Sequence, residues 1–193
     1  MTVELDEIAL FLRMGSHKPD GPLAERIRSV MESAEGVIRP ARTWRRFEIT
    51  DGAIASGILR LDSSRTLSRH LEGCHAAYLV CGTLGPGFDA LQRTLSVTSA
   101  SDALILQATG TAMVEKLMDS TEEDIHRELA GDESLTSRYS PGYGDFPLEA
   151  QRTILNLLEA HKKTGVSLTD TLLMVPSKSV SAVVGVRRRQ TST

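Results

Sequence analysis

Long apolar runs are missing from this 193-residue chain. No stretch approaches the roughly twenty consecutive apolar residues that a bilayer-crossing helix needs. Met1 to Leu12 is acidic where a secretory leader would be basic, so a cytoplasmic protein is expected. Positive charge is not in excess either. With 22 Lys and Arg against 25 Asp and Glu, the formal net charge is -3, which offers no global attraction to nucleic acid or to an anionic membrane, and neither is expected as a partner. Cysteine is scarce: Cys74 and Cys81 are expected to be free thiols, because a reducing compartment and a chain long enough for its own core make a structural disulfide unnecessary. Internal repeats and low-complexity segments are also lacking. What is present, 40% apolar residues, suffices for one sizeable core, and a single domain over 1–193 is expected.

Periodicity sketches the elements. Leu5 to Met14 reads as a short amphipathic helix, Gly15 to Gly21 as a turn-rich link, and Pro22 to about Ala34 as a longer helix, with Leu23, Ile27, Val30 and Met31 on one face. Trp44 to Ile49 and Ile54 to Leu61 read as hairpin arms around Asp51-Gly52. Ala76 to Thr83 is an apolar run fit for a buried strand, stopped by Gly82 to Gly87 before a helix from Phe88 to about Val97. Ser101 to Leu129 is helical in character; Gly110 within it either admits a close neighbour or breaks the segment into two helices. Gly131 to Phe146 is a loop, Pro147 opens a helix to about Lys163, and Leu172 to Val175 and Val180 to Val186 are β-like, with a frayed tail over 187–193. The order lacks the alternation of a doubly wound fold, so an α+β domain with a mostly antiparallel twisted sheet and flanking helices is expected.

The chemically informative run is Arg138-Tyr139-Ser140-Pro141-Gly142-Tyr143-Gly144-Asp145-Phe146-Pro147. It offers a guanidinium for a ligand carboxylate, phenols to cover a heterocycle or sulfonium, a carboxylate, and glycines that open the backbone to a ligand. By these residue types alone it is either a ligand loop or a surface loop whose aromatics plug a groove. Other candidates read as structural. Cys74-His75 with Cys81 does not make a metal set, Gly82 to Gly87 lacks a phosphate-loop ending, and His70, His75, His126 and His161 have no nucleophile around them. Lys178 is expected on an exposed turn, and Arg187 to Arg189 in a solvated tail.

The Arg138, Gly142, Tyr143 spacing, with Pro141 and Pro147, resembles the Arg-x-x-x-Gly-Tyr signature of the activation domain of cobalamin-dependent methionine synthase. Leu148 to Leu158, Gly165-Val166, Leu168-Thr169 and Met174 to Ser181 are similar, in order and spacing, to the helix and closing segment downstream of that signature. The resemblance covers about the C-terminal two thirds and leaves Met1 to Leu71 weakly placed. It implies S-adenosylmethionine (SAM) binding by Arg138, Ser140, Gly142, Tyr143 and, on the preceding helix, Glu115. It also implies a partner, methionine synthase or another corrinoid protein, whose cobalamin is reduced by an electron donor and remethylated from SAM. Ser-Pro-Gly-Tyr-Gly-Asp is similar to the stand-alone members of the family. Gly144-Asp145-Phe146, where the long enzyme has Pro-Ala-Cys, and Val183-Val184, where it has aromatic residues, depart from the pattern. Asp145 is expected to compensate by pairing with a ligand amine. Alternative readings are a docking module that does not bind SAM and a SAM-dependent methyltransferase for another acceptor.

Overall fold

An apolar run without polar alternation becomes a strand only where both of its faces are covered, and two such strands organise this molecule. The computed structural model describes residues 3–13 and 19–188. Chain order is α1 (Leu5–Phe11), α2 (Gly21–Val37), β1 (Ala41–Thr50), β2 (Ala53–Ile54), β3 (Leu59–Arg60), a 3-10 turn (Leu61–Ser63), α3 (Arg65–His70), β4 (Cys74–Thr83), α4 (Pro86–Thr98), α5 (Ala100–Glu128), β5 (Glu133–Leu135), α6 (Ala150–Leu158), α7 (Ala160–Thr164), β6 (Ser167–Leu168), β7 (Met174–Val175) and β8 (Ser179–Arg188). The main sheet runs β3-β2-β1-β4-β8-β5, with every neighbouring pair antiparallel. β6 and β7 form a separate ribbon.

β4 and β8 lie side by side in the sheet, and their alternate residues feed opposite cores. Ala76, Tyr78 and Val80 pack with Ala182, Val184 and Val186 against Met118 and Ile125 of α5. Ala77, Leu79, Cys81 and Val183 face the other way, onto Phe146 and onto Ile154, Leu155 and Leu158 of α6. A third cluster, including Ile8, Ile27, Val30, Phe88, Leu106 and Met113, joins α1, α2 and α4 to α5. The architecture is the expected α+β domain with an antiparallel sheet.

Several elements depart from expectation. Asp51 and Gly52 do turn a hairpin, with φ of 51° and 70°, but its second arm is two residues long before β3 folds back. The long partner of β1 is β4, from Ala41 opposite Thr83 to Glu48 opposite Ala76. α5 runs unbroken through Gly110. The helix expected from Pro147 is divided where Glu159 takes a left-handed φ of 53°. Leu172 has a φ of 65°, so β7 retains only the end of the expected segment Leu172 to Val175. The tail also begins later than expected: Arg187 and Arg188 belong to β8, paired with Ser134 and Glu133. The rest of the tail, 189–193, lies outside the described residues.

Edge strand β5 is three residues long, too short to hold by its ladder alone, and a buried carboxylate secures it. Glu133 accepts hydrogen bonds from Arg46 Nη1 and Nη2 at 3.0 and 2.8 Å and from the Ala130 amide at 3.1 Å, with His75 Nε2 at 2.9 Å. One side chain thereby ties β1, β4 and β5 together. The Arg46 hydrogen bonds, outweighing burial and helped by the Ala130 amide and His75, hold its pKa at about 2, below the ordinary 4.5. A depressed carboxylate pKa stabilises the fold above the unfolded-state value, and that contribution disappears as pH falls through the folded-state value. Glu133→Gln is therefore expected to lose about 2 kcal/mol at neutral pH, a figure discounted for the part-exposed Arg46. Urea unfolding as a function of pH should show that deficit constant above about pH 5 and closing between about pH 4.5 and 2. A deficit independent of pH would assign the loss to packing instead.

Candidate functional site

Helical geometry sets one wall of the site. Glu115, Asp119 and Glu122 stand at i, i+4 and i+7 on α5, which puts three carboxylates on one face. The opposing wall comes from the segment after β5, which continues along the edge of β8. Thr136 N donates to Gly185 O at 2.9 Å, and Tyr139 and Val183 exchange two backbone hydrogen bonds at 2.9 Å. Side chains of an extended segment alternate. Arg138 thus points to the α5 face and Tyr139 to the opposite face.

Arg138 meets all three carboxylates. Nη1 donates to Glu122 Oε1 at 2.7 Å and Asp119 Oδ1 at 3.0 Å, while Nη2 donates to Glu115 Oε2 at 2.7 Å and to the same Asp119 oxygen at 3.0 Å. Burial works against the Arg138 charge, but Glu122, Asp119 and Glu115 together outweigh it and raise its pKa. Burial pushes the Glu122 carboxyl up, with the negative neighbours adding to it and Arg138 opposing. On the other face Tyr139 stacks on His70 at 4.8 Å and on Phe146 at 6.1 Å between ring centroids, with Tyr143 at 6.5 Å. His70 Nε2, 2.8 Å from Ser137 O, donates to that carbonyl and fixes the segment from behind.

The run Gly144-Asp145-Phe146 anchors the loop rather than contacting a ligand. Asp145 accepts from the amides of Arg65 and Thr66 at 2.9 and 3.0 Å and from the hydroxyl of Ser64 at 2.6 Å. These bonds, the Ser64 hydroxyl and Thr66 foremost, hold its carboxyl well below the usual range. The expected pairing of Asp145 with a ligand amine is corrected accordingly, since its oxygens are taken by the N-terminus of α3. Gly144 has a φ of 56°, and a Cβ there would stand 2.7 Å from Thr66 Oγ1 and 2.9 Å from the Tyr139 hydroxyl oxygen. Phe146 is a core residue, 1% exposed.

Glu115, Glu122, Ser137, Arg138, Tyr139, Ser140, Tyr143 and Val180 line a cleft of about 350 Å³. Four of the five residues named from sequence, Glu115, Arg138, Ser140 and Tyr143, meet in it. Gly142 does not: its amide donates to Phe146 O at 2.8 Å, closing the turn behind the cleft, so that amide is not open to a ligand. Val183 and Val184 are fully buried and pack into opposite cores; the β8 side chain on the cleft is Val180. Asp119 and Glu122 were missed by sequence reasoning, although their spacing from Glu115 carried a signal; Tyr139 was offered as one of the loop's phenols but not named as a ligand contact.

Away from the cleft, Lys178 is half-buried rather than exposed: its Nζ donates to Thr111 Oγ1 at 2.8 Å and sits 5.9 Å from the Phe88 ring centroid, over α5 where Gly110 leaves room. Cys74 and Cys81 are free, and burial pushes the Cys81 thiol up to about 12. Among the described residues no group of three His, Cys, Asp or Glu side chains could hold a metal ion, and no helix is long and apolar enough to cross a membrane. A cavity of about 410 Å³ beside α6 and α7, lined by Arg152, Glu159, His161 and Lys162 among others, shares no residue with the cleft.

Residues 104–191 match the family described as vitamin B12 dependent methionine synthase, activation domain. Among solved structures, that of the MetH reactivation domain bound to AdoHcy (S-adenosylhomocysteine) superposes with a TM-score of 0.61 at 17% identity, covering 98% of this chain and 75% of that one. No curated protein matches by sequence. The structural likeness establishes a shared fold, and the family match falls on the segment that supplies most of α5, the Arg138 loop and β8. Residues 104–191, less than half of the 193-residue chain, are therefore similar to the activation domain of vitamin B12 dependent methionine synthase, and the chain carries the fold of a reactivation domain.

Proposed function

We propose that this protein is a SAM-binding reactivation subunit for a cobalamin-dependent methionine synthase, presenting SAM for reductive remethylation of a cobalamin carried by the partner. The observation that carries the reading is the cleft of about 350 Å³ in which Arg138, Glu115, Ser140 and Tyr143 converge. Its size falls within the range of small-molecule sites, and its groups suit a zwitterion. The AdoHcy held by a reactivation domain of the same fold supports the ligand class, and the Ser140 to Asp145 run supports the subunit form.

When bound, SAM supplies a sulfonium-activated methyl group. Arg138 takes the ligand carboxylate in a charge-assisted pair, exchanging one of its present partners for it. Asp119, with a side chain 60% exposed and one oxygen serving both Nη1 and Nη2, is the carboxylate most easily displaced. Glu115 accepts from the ligand ammonium, Ser140 contributes backbone contacts, Gly142 keeps the turn, and the exposed Tyr143 ring covers the adenosyl or sulfonium part. These residues move no proton. Their contribution is position, which is where a reaction between two held reactants gains most. The electron donor acts on the partner.

Engagement of both Arg138 amino groups by carboxylates favours one alternative, a docking module that binds a corrinoid protein without SAM. Calorimetric titration separates the two. The folded protein is expected to bind SAM saturably, and Arg138→Lys, which keeps the charge but loses the planar fork, is expected to bind it about ten- to a hundredfold more weakly. Equal affinity in the variant would remove Arg138 from the site. A folded parent protein that ignores SAM would leave the docking reading.

A further inference from the structure

We infer that the cleft distinguishes SAM from AdoHcy by charge, and that Asp119 and Glu122 are the residues that set the difference. The inference rests on the SAM-site reading above and deepens it. Three carboxylates share one guanidinium on this wall: Glu115, Asp119 and Glu122 all bond Arg138. Among the described residues, Arg138 is the one cation in ion-pair contact with them; the nearby Lys116 pairs with Glu7, and Arg42 with Asp124. Two negative charges are thus uncompensated beside the cleft.

A purely structural anchor for Arg138 needs one carboxylate, and acidic neighbours one turn apart on a helix repel one another. The surplus is accounted for if the occupant is cationic. Of the two ligands the site would meet, SAM carries a sulfonium in addition to its ammonium and carboxylate, whereas AdoHcy is a thioether with no net charge. Methyl transfer leaves the C–S bonding pair on sulfur, so the ligand enters as a cation and remains as a neutral molecule. A surplus negative wall holds the first more tightly than the second. The exposed Tyr143 reinforces the selection, because its ring face attracts a cation more strongly than a thioether.

At the effective dielectric of a partly open cleft, one extra positive charge within several ångströms of this wall corresponds to roughly tenfold in affinity. SAM is therefore expected to bind about tenfold more tightly than AdoHcy at low ionic strength, with the gap shrinking as salt screens the wall. An analogue with an ammonium in place of the sulfonium should bind like SAM, since charge and not the methyl group is what is read. In Asp119→Asn and Glu122→Gln, checked for folding by circular dichroism, the ratio should fall to about threefold or less. Equal binding of SAM and AdoHcy by the parent overturns the inference while leaving the SAM site standing. So does a ratio that both variants preserve, or an ammonium analogue that behaves like AdoHcy. If the folded parent binds none of the three ligands, the site reading fails and this inference with it.

Discussion

Phe146→Ala is expected to lower the unfolding free energy by about 3–5 kcal/mol, the usual cost of emptying a buried aromatic site. It is also expected to weaken SAM binding in the protein that remains folded. Phe146 is 1% exposed and sits in the core with Leu79, Val183 and Ile154. Its ring stacks against Tyr139, and its backbone closes the turn by accepting from Gly142 and donating to Tyr143. The truncation therefore removes both a core plug and the surface that sets the angle of Tyr139. Urea unfolding measures the first effect and titration at low temperature the second. Full destabilisation with unchanged SAM affinity would show that the loop holds its shape through Asp145 and the turn alone.

Gly110→Ala is expected to destabilise by about 2 kcal/mol or more, and here the sign is the informative part. If this glycine only interrupted a helix, alanine would stabilise by about 1 kcal/mol through its better helix propensity. A Cβ at Gly110 would instead stand 2.3 and 2.4 Å from two atoms of the Phe88 ring and 3.1 Å from Lys178 Cε. Lys178 is flexible and can yield. Phe88 is fully buried and cannot turn without disturbing Leu106 and Met113 in the same cluster, so the overpacking cost of about 1–3 kcal/mol or more outweighs the propensity gain. Thermal unfolding decides it: a raised midpoint would mean that the Phe88 contact is slack.

The elements legible in the sequence are those whose signal is local. β4 and the core of β8 were visible because continuous apolar runs bounded by breakers mark doubly covered strands, and α5 because its length exceeds any accident of composition. The hairpin turn at Asp51-Gly52 was legible for the same reason. α3 was not, because its N-terminus is completed by Asp145, distant in sequence. β5 escaped notice because three residues carry no periodicity and a long-range pair, Glu133 with Arg46, secures it. In the site the cation was legible and its occupancy was not: the loop advertises Arg138, while the carboxylates that hold it are set by how α5 crosses the sheet. Lys178 was misplaced for a similar reason, since the room it occupies exists only because residue 110 has no side chain.

Recognition and folding divide this chain differently. The segment that matches the family begins at residue 104, yet β8, which it contributes, takes its inner edge from β4 through a ladder from Cys74 opposite Arg187 to Thr83 opposite Ser179. The ligand loop is fastened to Ser64, Arg65 and Thr66. The recognisable part is thus not a transplantable cassette. Cut out at its sequence boundary, it would carry an open sheet edge and a loop without its mooring, so a minimal fragment meant to keep the cleft must retain β4 and the start of α3.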